Sequence, residues 1–253
     1  NLGGDFKKIY DDVKAKRDIL VFGLNTPQRA HVASSLDRFL LYVVKDGTYA
    51  LKAEEALADF YEPGEIAYLP EKNDVLIYRK AFQHSRITSR LRVLAAMARG
   101  EVSCVITTPQ ALAEYYPAPD RLLESILRIK AGDELDLMDV TDKLVSMGYA
   151  RETRADEKSS FALAGDTLVV FPPDSDLPVR ISFWGDEVES IKLYDPESMI
   201  TVAEKNEMEI FPCNDLLLTE KEWTSALDKA GKESAKGKAK SGERRGAILA
   251  DLE

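Results

Sequence analysis

The sequence predicts an α/β fold joined to an α+β part, and three observations support this prediction. Short apolar runs alternate with amphipathic segments in the first half of the chain, which is typical of a parallel sheet with helices on both faces. Hairpin patterns replace this alternation after Pro117-Ala118-Pro119. With 253 residues, of which 45% are hydrophobic, the chain is long enough for two cores. We therefore predict three segments, namely a parallel-sheet domain over 1–117, an α+β domain over 118–213, and a linker with the start of a return segment to the first domain over 214–253.

The first predicted domain opens with a helical lead-in that ends near Arg17. An apolar run over 18–23 follows, and a short apolar run that ends at a glycine is typical of a buried strand that leads into a loop. The later elements alternate between helix and strand by their apolar spacing. They are a helix over 29–40, a strand over 41–44, helices over 48–61 and 87–98, and a strand over 102–108.

The second predicted domain contains one helix and two hairpins. The helix is expected over 139–147. Each hairpin consists of two apolar runs that flank a Gly-Asp turn, a sequence that tight hairpins favour. These turns are Gly165-Asp166 and Gly185-Asp186.

Composition excludes several classes of protein. No stretch reaches the roughly 18 consecutive apolar residues of a membrane span, and the amino end lacks the features of a signal peptide, so we expect a cytoplasmic protein without membrane contact. The net charge of −10 opposes binding of the whole surface to a phosphate backbone. The two cysteines, Cys104 and Cys213, are too few for a disulfide framework or a metal site, so we expect reduced thiols and no metal. Residues 229–245 are rich in Lys, Gly, Ala and Ser, as in flexible linkers.

A basic island interrupts this acidic chain, because residues 76–99 contain six cations and no carboxylate. Two interpretations stay open. The first is a face toward DNA or a protein partner that is formed by Arg79, Lys80, Arg86 and Arg90. In the second, the same cations neutralise acidic surfaces elsewhere in the chain.

The turn after the first predicted strand is the place where nucleotide-binding α/β proteins hold a phosphate at a helix N-terminus. Against the pattern G-x-x-x-x-G-K-[ST], Gly23 matches the first glycine and Gln28 replaces the second. Arg29 stands in place of the lysine, and Ala30 in place of the hydroxyl that binds Mg²⁺. One matching glycine is also typical of a tight connection without any ligand. Either way, the turn is not expected to hold ATP.

Longer stretches match the motifs of a known family in order. Residues 89–91 and 102–112 resemble a helix and strand of that family, and residues 165–172, 178–191 and 210–212 resemble its pattern R-G-D-x-[LV]-x-[IVL]-[FY]-P … [RY]-[IVL]-x-[FL]-[FW]-G-D-E-[IV]-[ED]-x-I … [FL]-P. The chain therefore resembles the amino-terminal module shared by UvrB of the excision nuclease and the transcription-repair coupling factor. The resemblance implies a degenerate helicase-like (P-loop NTPase-type) parallel-sheet domain with an inserted α+β domain that binds UvrA.

Two departures favour the coupling factor over UvrB. The phosphate loop is broken, and the stretch after Tyr68-Leu69-Pro70 leaves no room for the long tyrosine-rich hairpin with which UvrB clamps damaged DNA. The resemblance then implies that this module has no cofactor and no catalysis. It also implies that ATP with Mg²⁺, double-stranded DNA and RNA polymerase bind later parts of a longer chain, which is an ATP-dependent DNA translocase.

In this family, arginines and neighbouring apolar groups on the inserted sheet bind UvrA, and a guanidinium group suits carboxylate partners. Counting back from Gly165, Arg151 falls on one such arginine, whereas Ala162 and Ala164 occupy the other two positions. The resemblance therefore implies weakened or rewired binding. Arg154 or Arg180 would substitute for the arginines that are missing at positions 162 and 164. The candidate residues for UvrA binding are Arg151, Arg154, Phe161, Ala162, Ala164 and Arg180. Trp184 is expected in a core or an interface.

Three hypotheses of function follow. The first is a non-catalytic module that recruits UvrA in transcription-coupled repair. The second is a DNA-dependent ATPase fragment of the UvrB type. The third is an intramolecular regulatory domain that masks its own partner surface and is released during translocation.

Overall fold

The computed structural model describes residues 2–36, 38–72, 80–217, 221–222 and 224–229, and for 2–6 and 80–83 only the backbone. Residues 1–215 form one compact unit and residues 216–253 a second. Both predicted domains therefore lie in the first unit, and the boundary near residue 118 stays a prediction. Most of the predicted linker over 214–253, with Trp223, lies outside the described residues.

The first unit contains seven described helices and eleven described strands. The helices are α1 (Leu2–Lys14), α2 (Thr26–Ser34), α3 (Gly47–Leu57), α4 (Lys80–Arg99), α5 (Pro109–Leu112), α6 (Pro119–Ser125) and α7 (Leu137–Ser146). The strands are β1 (Leu40–Val43), β2 (Ile66–Leu69), β3 (Cys104–Thr107), β4 (Leu127–Lys130), β5 (Ala150–Arg151), β6 (Ser160–Ala164), β7 (Thr167–Phe171), β8 (Val179–Trp184), β9 (Glu187–Tyr194), β10 (Thr201–Lys205) and β11 (Glu207–Ile210).

A three-stranded parallel sheet of order β1-β3-β2 forms the first half. The central strand β3 is wholly buried, and its alternate side chains enter two different cores. Cys104 and Ile106 pack against α2 and α3, whereas Val105 packs on the opposite side against α4. Helices therefore cover both faces of the sheet, as the alternation of elements predicts, and the fold is mixed α/β with parallel and antiparallel sheets.

The predicted buried strand over 18–23 is wrong. This segment belongs to no strand, and Leu20 and Phe22 are 78% and 80% exposed. Its apolar composition suits a buried strand, but a strand also needs a neighbour to receive its backbone hydrogen bonds, and none of the described strands pairs with it. The next helix begins earlier than predicted, because Asn25 caps it, and it ends at Ser34.

The second half is built on a six-stranded sheet of order β10-β9-β8-β7-β6-β5. Both predicted hairpins are confirmed: β6 pairs with β7 and β8 with β9, all antiparallel. Gly165 and Gly185 have φ of +58° and +61°, the left-handed region that two-residue hairpin turns need and that glycine adopts without strain. One face of the sheet packs with α7 around Phe161, Leu168 and Ile181, and we call the opposite face the outer face.

Helix α4 connects the parallel sheet to the second half. Its Arg90 donates to the carbonyl oxygen of Pro70 at 2.8 Å and forms an ion pair with Glu114. Thr88 donates its hydroxyl to the carbonyl oxygen of Pro212 at 2.8 Å, and Arg92 forms an ion pair with Asp174. The helix therefore contacts residues on both sides of position 118.

A two-stranded antiparallel sheet of β4 and β11 lies where the chain enters and leaves the second half. Glu209 on β11 accepts two hydrogen bonds from Arg99 of α4, at 3.0 and 2.9 Å, and one from Arg128 of β4. Burial by itself raises the pKa of Glu209, but the hydrogen bonds and charges of the two arginines outweigh burial and hold that pKa below its usual value. One carboxylate thus joins three elements.

We expect Arg90→Ala to lower the free energy of unfolding by about 3 kcal/mol, because it removes the cation that pairs with the largely buried carboxylate of Glu114. The Arg90 side chain is 3% exposed. Urea denaturation followed by circular dichroism measures the change. Arg151→Ala, at an exposed arginine, is the control and should change the free energy by no more than about 0.5 kcal/mol. Equal effects of the two variants would contradict the structural role of Arg90.

We expect the Glu209 interactions to make stability depend on pH in the acid range. Since the folded pKa is lowered, the contribution is present above the unfolded pKa of about 4.3 and is lost as pH falls through the folded pKa. The loss of stability on acidification should therefore be smaller in Glu209→Gln than in the wild type. Denaturant midpoints between about pH 7 and pH 3 test this. Glu207→Gln, on the same strand, should retain the wild-type profile.

Candidate partner-binding surface and the phosphate-loop-like turn

The turn before α2 is closed by its own side chains. The Asn25 side-chain oxygen accepts from the Gln28 backbone N–H at 3.0 Å, and the Gln28 side-chain oxygen accepts from the Asn25 N–H at 3.0 Å. This is a reciprocal capping box. The Gln28 N–H, one of the groups that would face a phosphate at a helix N-terminus, is in this way already satisfied within the chain.

The other predicted loop positions also have structural partners. Arg29 donates Nε to the carbonyl oxygen of Leu24 at 2.9 Å, so its guanidinium is held along the turn. Ala30 is 1% exposed and packs in the core beneath α3. Gly23 adopts φ +77°, the one feature shared with a glycine-rich loop. Chemically, the turn is a helix cap whose side chains are bonded internally.

Only two of the four residues of the proposed basic face have described side chains, and neither of these is exposed. Arg79 lies outside the described residues, and for Lys80 only the backbone is described. Arg86 is half-buried and donates to the carbonyl oxygen of Glu71 at 3.3 Å. Arg90 is buried in its ion pair with Glu114. The interpretation as a DNA face is therefore wrong for Arg90, and neutralisation of acidic groups within the chain describes its environment.

The outer face of the six-stranded sheet is the largest described surface on which predicted site residues meet. Strand register places side chains in rows across it, because cross-strand partners lie on the same face. The first row runs through Ala162, Val169, Arg180, Lys192 and Glu204, and the second through Ala164, Thr167, Ser182 and Ser190.

Two adjacent cations in the first row form no ion pair with a described residue, although Glu204 lies across from one of them, Lys192. These are Arg180 and Lys192, which are cross-strand neighbours and half-buried. The Arg180 guanidinium lies over the Tyr194 ring, 4.5 Å from its centroid. Burial raises the pKa of the Tyr194 hydroxyl against the lowering influence of Arg180. Arg180 thus has a fixed position and an unneutralised charge.

The structure separates the residues that the family motif would bring together. Ala162, Ala164 and Arg180 share the outer face. Phe161 is fully buried in the core, so its predicted role as a contact residue is wrong. Arg151 is in parallel register with Phe161, and its side chain therefore leaves the sheet on the opposite face from Ala162.

Arg154, the other substitute considered, is exposed in the loop between β5 and β6. Its Nε lies 3.3 Å from Asp156. Exposed pairs of this kind contribute little to stability. Arg154 is accessible, but a neighbouring carboxylate partly satisfies its charge.

Two outer-face residues were missed as site candidates. Lys192 becomes a neighbour of Arg180 only through the β8–β9 register, which the sequence does not specify because a bulge interrupts it. Trp184 at the end of β8 is 80% exposed, so its expected place in a core is excluded and the alternative of an interface stays open. The alternation from Arg180 through Ser182 to Trp184 could have placed it on this face.

Neither cysteine is accessible in the structure. Cys104 and Cys213 are buried free thiols, and burial raises their pKa to about 11 and about 12 respectively. Within the described ranges, no cluster of His, Cys, Asp and Glu is arranged to hold a metal ion. None of the described helices has the length and apolarity needed to cross a membrane.

Comparison with known proteins identifies relatives of most of the chain. Over 229 residues it is 28% identical to the transcription-repair-coupling factor of Myxococcus xanthus, an alignment that covers 86% of this chain and 19% of that protein. Over 179 residues it is 31% identical to UvrABC system protein B of Methanococcoides burtonii, covering 69% of this chain and 26% of that protein. The identity to UvrABC system protein B of Thermotoga neapolitana is 26%, over 67% of this chain and 25% of that protein. The chain spans about a fifth to a quarter of the length of these relatives.

A family comparison concerns the second half alone. Residues 127–216 match the family model of the UvrB interaction domain. This region begins with β4 and includes α7, the six-stranded sheet and β11, so the outer face lies wholly inside it. The resemblance to the transcription-repair coupling factor and to UvrB, first seen in the motifs between 165 and 212, is thereby confirmed.

Proposed function

We propose that this chain is a non-catalytic module of a transcription-repair coupling factor that recruits UvrA through the outer face of its six-stranded sheet. The observation that carries the proposal is the match of residues 127–216 to the UvrB interaction domain. In the parent protein, a cytoplasmic ATP-dependent DNA translocase, this module would bring UvrA to stalled RNA polymerase for nucleotide excision repair.

The extent of the alignments supports a coupling factor over UvrB. Alignments with two coupling factors cover 86% and 83% of this chain, whereas alignments with two UvrB proteins cover 67% and 69%. We take the parallel-sheet half to be a degenerate copy of a helicase core, as the motif resemblance implies.

The chemistry of the outer face supports a protein partner with carboxylates. Ala162 and Ala164 offer no charge, but Arg180 lies in the same row as Ala162, two strands away. A guanidinium that forms no ion pair with a described residue, beside an ammonium, favours an acidic partner surface. The cationic contact is therefore relocated from β6 to β8 and β9.

The turn at 23–30 supports the absence of nucleotide chemistry in this module. A phosphate would have to displace the Asn25–Gln28 capping box, and the buried Ala30 offers no hydroxyl for Mg²⁺. The cost of exposing satisfied cap groups opposes binding.

We expect the 253-residue chain to bind purified UvrA, and Arg180→Ala with Lys192→Ala to weaken binding about thirtyfold, since a lost interface hot spot costs about 2 kcal/mol or more. Isothermal titration calorimetry measures the dissociation constants of the wild type and of the double variant for UvrA. Lys130→Ala, an exposed lysine on β4, is the control and should bind like the wild type. Arg151→Ala tests the opposite face and should also bind normally. No binding by the wild-type chain would refute UvrA recruitment.

We expect no binding of MgATP at concentrations up to about 1 mM, in the wild type or after Gln28→Gly, Arg29→Lys and Ala30→Thr are combined. The triple variant restores the loop motif but also places a threonine in a packed core. It should therefore be less stable than the wild type and should not form a nucleotide-binding pocket. Calorimetric titration of both proteins is the measurement. Micromolar affinity or ATP turnover by the unmodified chain would instead favour the ATPase fragment of the UvrB type.

A further inference from the structure

Trp184 is an exposed aromatic side chain at one end of the outer face. It is the last residue of β8, and 80% of it is exposed. Along β8 it lies two residues beyond Ser182 and four beyond Arg180, so the three side chains share a face. Single exposed apolar residues are common on protein surfaces, and the surroundings of Trp184 are what distinguish it.

The indole is bordered by carboxylates on neighbouring strands. Glu187 is the cross-strand partner of Trp184, and Glu134 forms an antiparallel bridge with Glu187. Together with Leu135, Asp136 and Asp186 they line a recess of about 410 Å³. No cation lines this recess, and none of its carboxylates forms an ion pair in the described part of the chain.

The recess has a fixed backbone. The Leu135 N–H donates to the carbonyl oxygen of Asp186 at 2.7 Å, and the Val188 N–H donates to that of Asp133 at 2.9 Å. These bonds hold residues 133–135 against the tip of the β8–β9 hairpin. A partner would meet a surface that needs no ordering before it binds, and such preorganisation favours affinity.

We propose that this end of the outer face binds a lysine or arginine side chain of the protein partner, with the cation over the indole ring and Glu187 and Glu134 beside it. An indole face attracts a cation more strongly than the other aromatic rings do, and adjacent carboxylates add charge complementarity. Since no described cluster is arranged to hold a metal ion, the acidic groups are assigned to a side-chain cation. The identification of that partner as UvrA depends on the proposed function.

Along β8, Arg180 lies toward one end of the outer face and the carboxylates around Trp184 lie at the other, while Glu204 lies across from Lys192 on β10. Arg180 and Lys192 lie about 13 Å from Trp184, as four residues of strand span. A complementary partner therefore presents a carboxylate and a cation at this spacing. Nucleic acid does not fit, because its phosphates would meet the carboxylates around Trp184, and this arrangement commits the surface to a protein.

Calorimetric titration with UvrA tests the contact within the proposed function. Trp184→Ala should weaken binding about tenfold, and Glu134→Gln with Glu187→Gln should also weaken it, while Trp184→Phe should retain part of the affinity. Tyr115→Ala is the matched control, because Tyr115 is an aromatic residue 97% exposed in the other half of the unit. Wild-type affinity in Trp184→Ala would overturn the inference and leave UvrA recruitment standing.

Failure of the wild-type chain to bind UvrA would refute the proposed function but not the cation contact at Trp184. A second measurement therefore tests this contact without UvrA. The indole N–H signal of Trp184, assigned with Trp184→Phe, is followed by NMR during titration with hexalysine and with hexaglutamate. Hexalysine should shift the signal to saturation and hexaglutamate should not. The shift should be lost in the Glu134→Gln, Glu187→Gln variant. No shift in the wild type, or an equal shift in that variant, would overturn the inference.

Discussion

The pairing of the α4 arginines with acceptors far away in the sequence is the constraint on which the rest of the structure depends. A guanidinium cannot lose its proton, so a buried arginine must have partners. Arg90 finds them in Pro70 and Glu114, and Arg99 in Glu209. The positions of β2, α5 and β11 relative to α4 are therefore coupled. Because β11 is where the chain leaves the six-stranded half, the same pairing fixes that half against the parallel sheet.

The same pairing neutralises part of the basic island. Arg90, Arg92 and Arg99 form ion pairs with Glu114, Asp174 and Glu209 respectively. Such pairs lose much of their energy to desolvation, but breaking one leaves an unpaired charge. Their main consequence here is geometric, since they hold the outer face in one orientation.

The sequence predicted the parts of the fold that depend on local patterns. The hairpins follow from Gly165 and Gly185, which allow turns that other residues adopt with strain, and β3 follows from an unbroken apolar run. The strand over 18–23 failed because burial depends on a neighbouring strand and not on composition. Strand β2 was missed because three of its four residues are only partly buried and show no clear period.

The site was less predictable than the fold, because faces depend on register. Arg151 and Ala162 hold equivalent places in a motif, yet the parallel pairing of β5 with β6 puts their side chains on opposite sides. Lys192 joins Arg180 through pairing across a bulge. The capping box at Asn25 and Gln28 was readable in the sequence, since both residue types and their spacing are local. Against the phosphate-loop pattern, Gln28 counts only as a missing glycine, and its role as a capping residue is then not apparent.

The whole chain is acidic, and two neighbouring cations of its outer face nevertheless form no ion pair with a described residue. With a net charge of −10, an arginine or lysine has many carboxylates available, and the long-range ion pairs of α4 use them. Arg180 and Lys192 instead face outward beside Tyr194 and form no ion pair with a described residue, although Glu204 lies across from Lys192, and a second group of carboxylates surrounds Trp184 along the face. A carboxylate placed next to Arg180 would neutralise the charge of the guanidinium, and the arginine would then no longer select an acidic partner surface. Separation of the two charges along one rigid sheet lets the face reject surfaces of a single sign, including nucleic acid, and accept a partner whose charges alternate at the matching spacing.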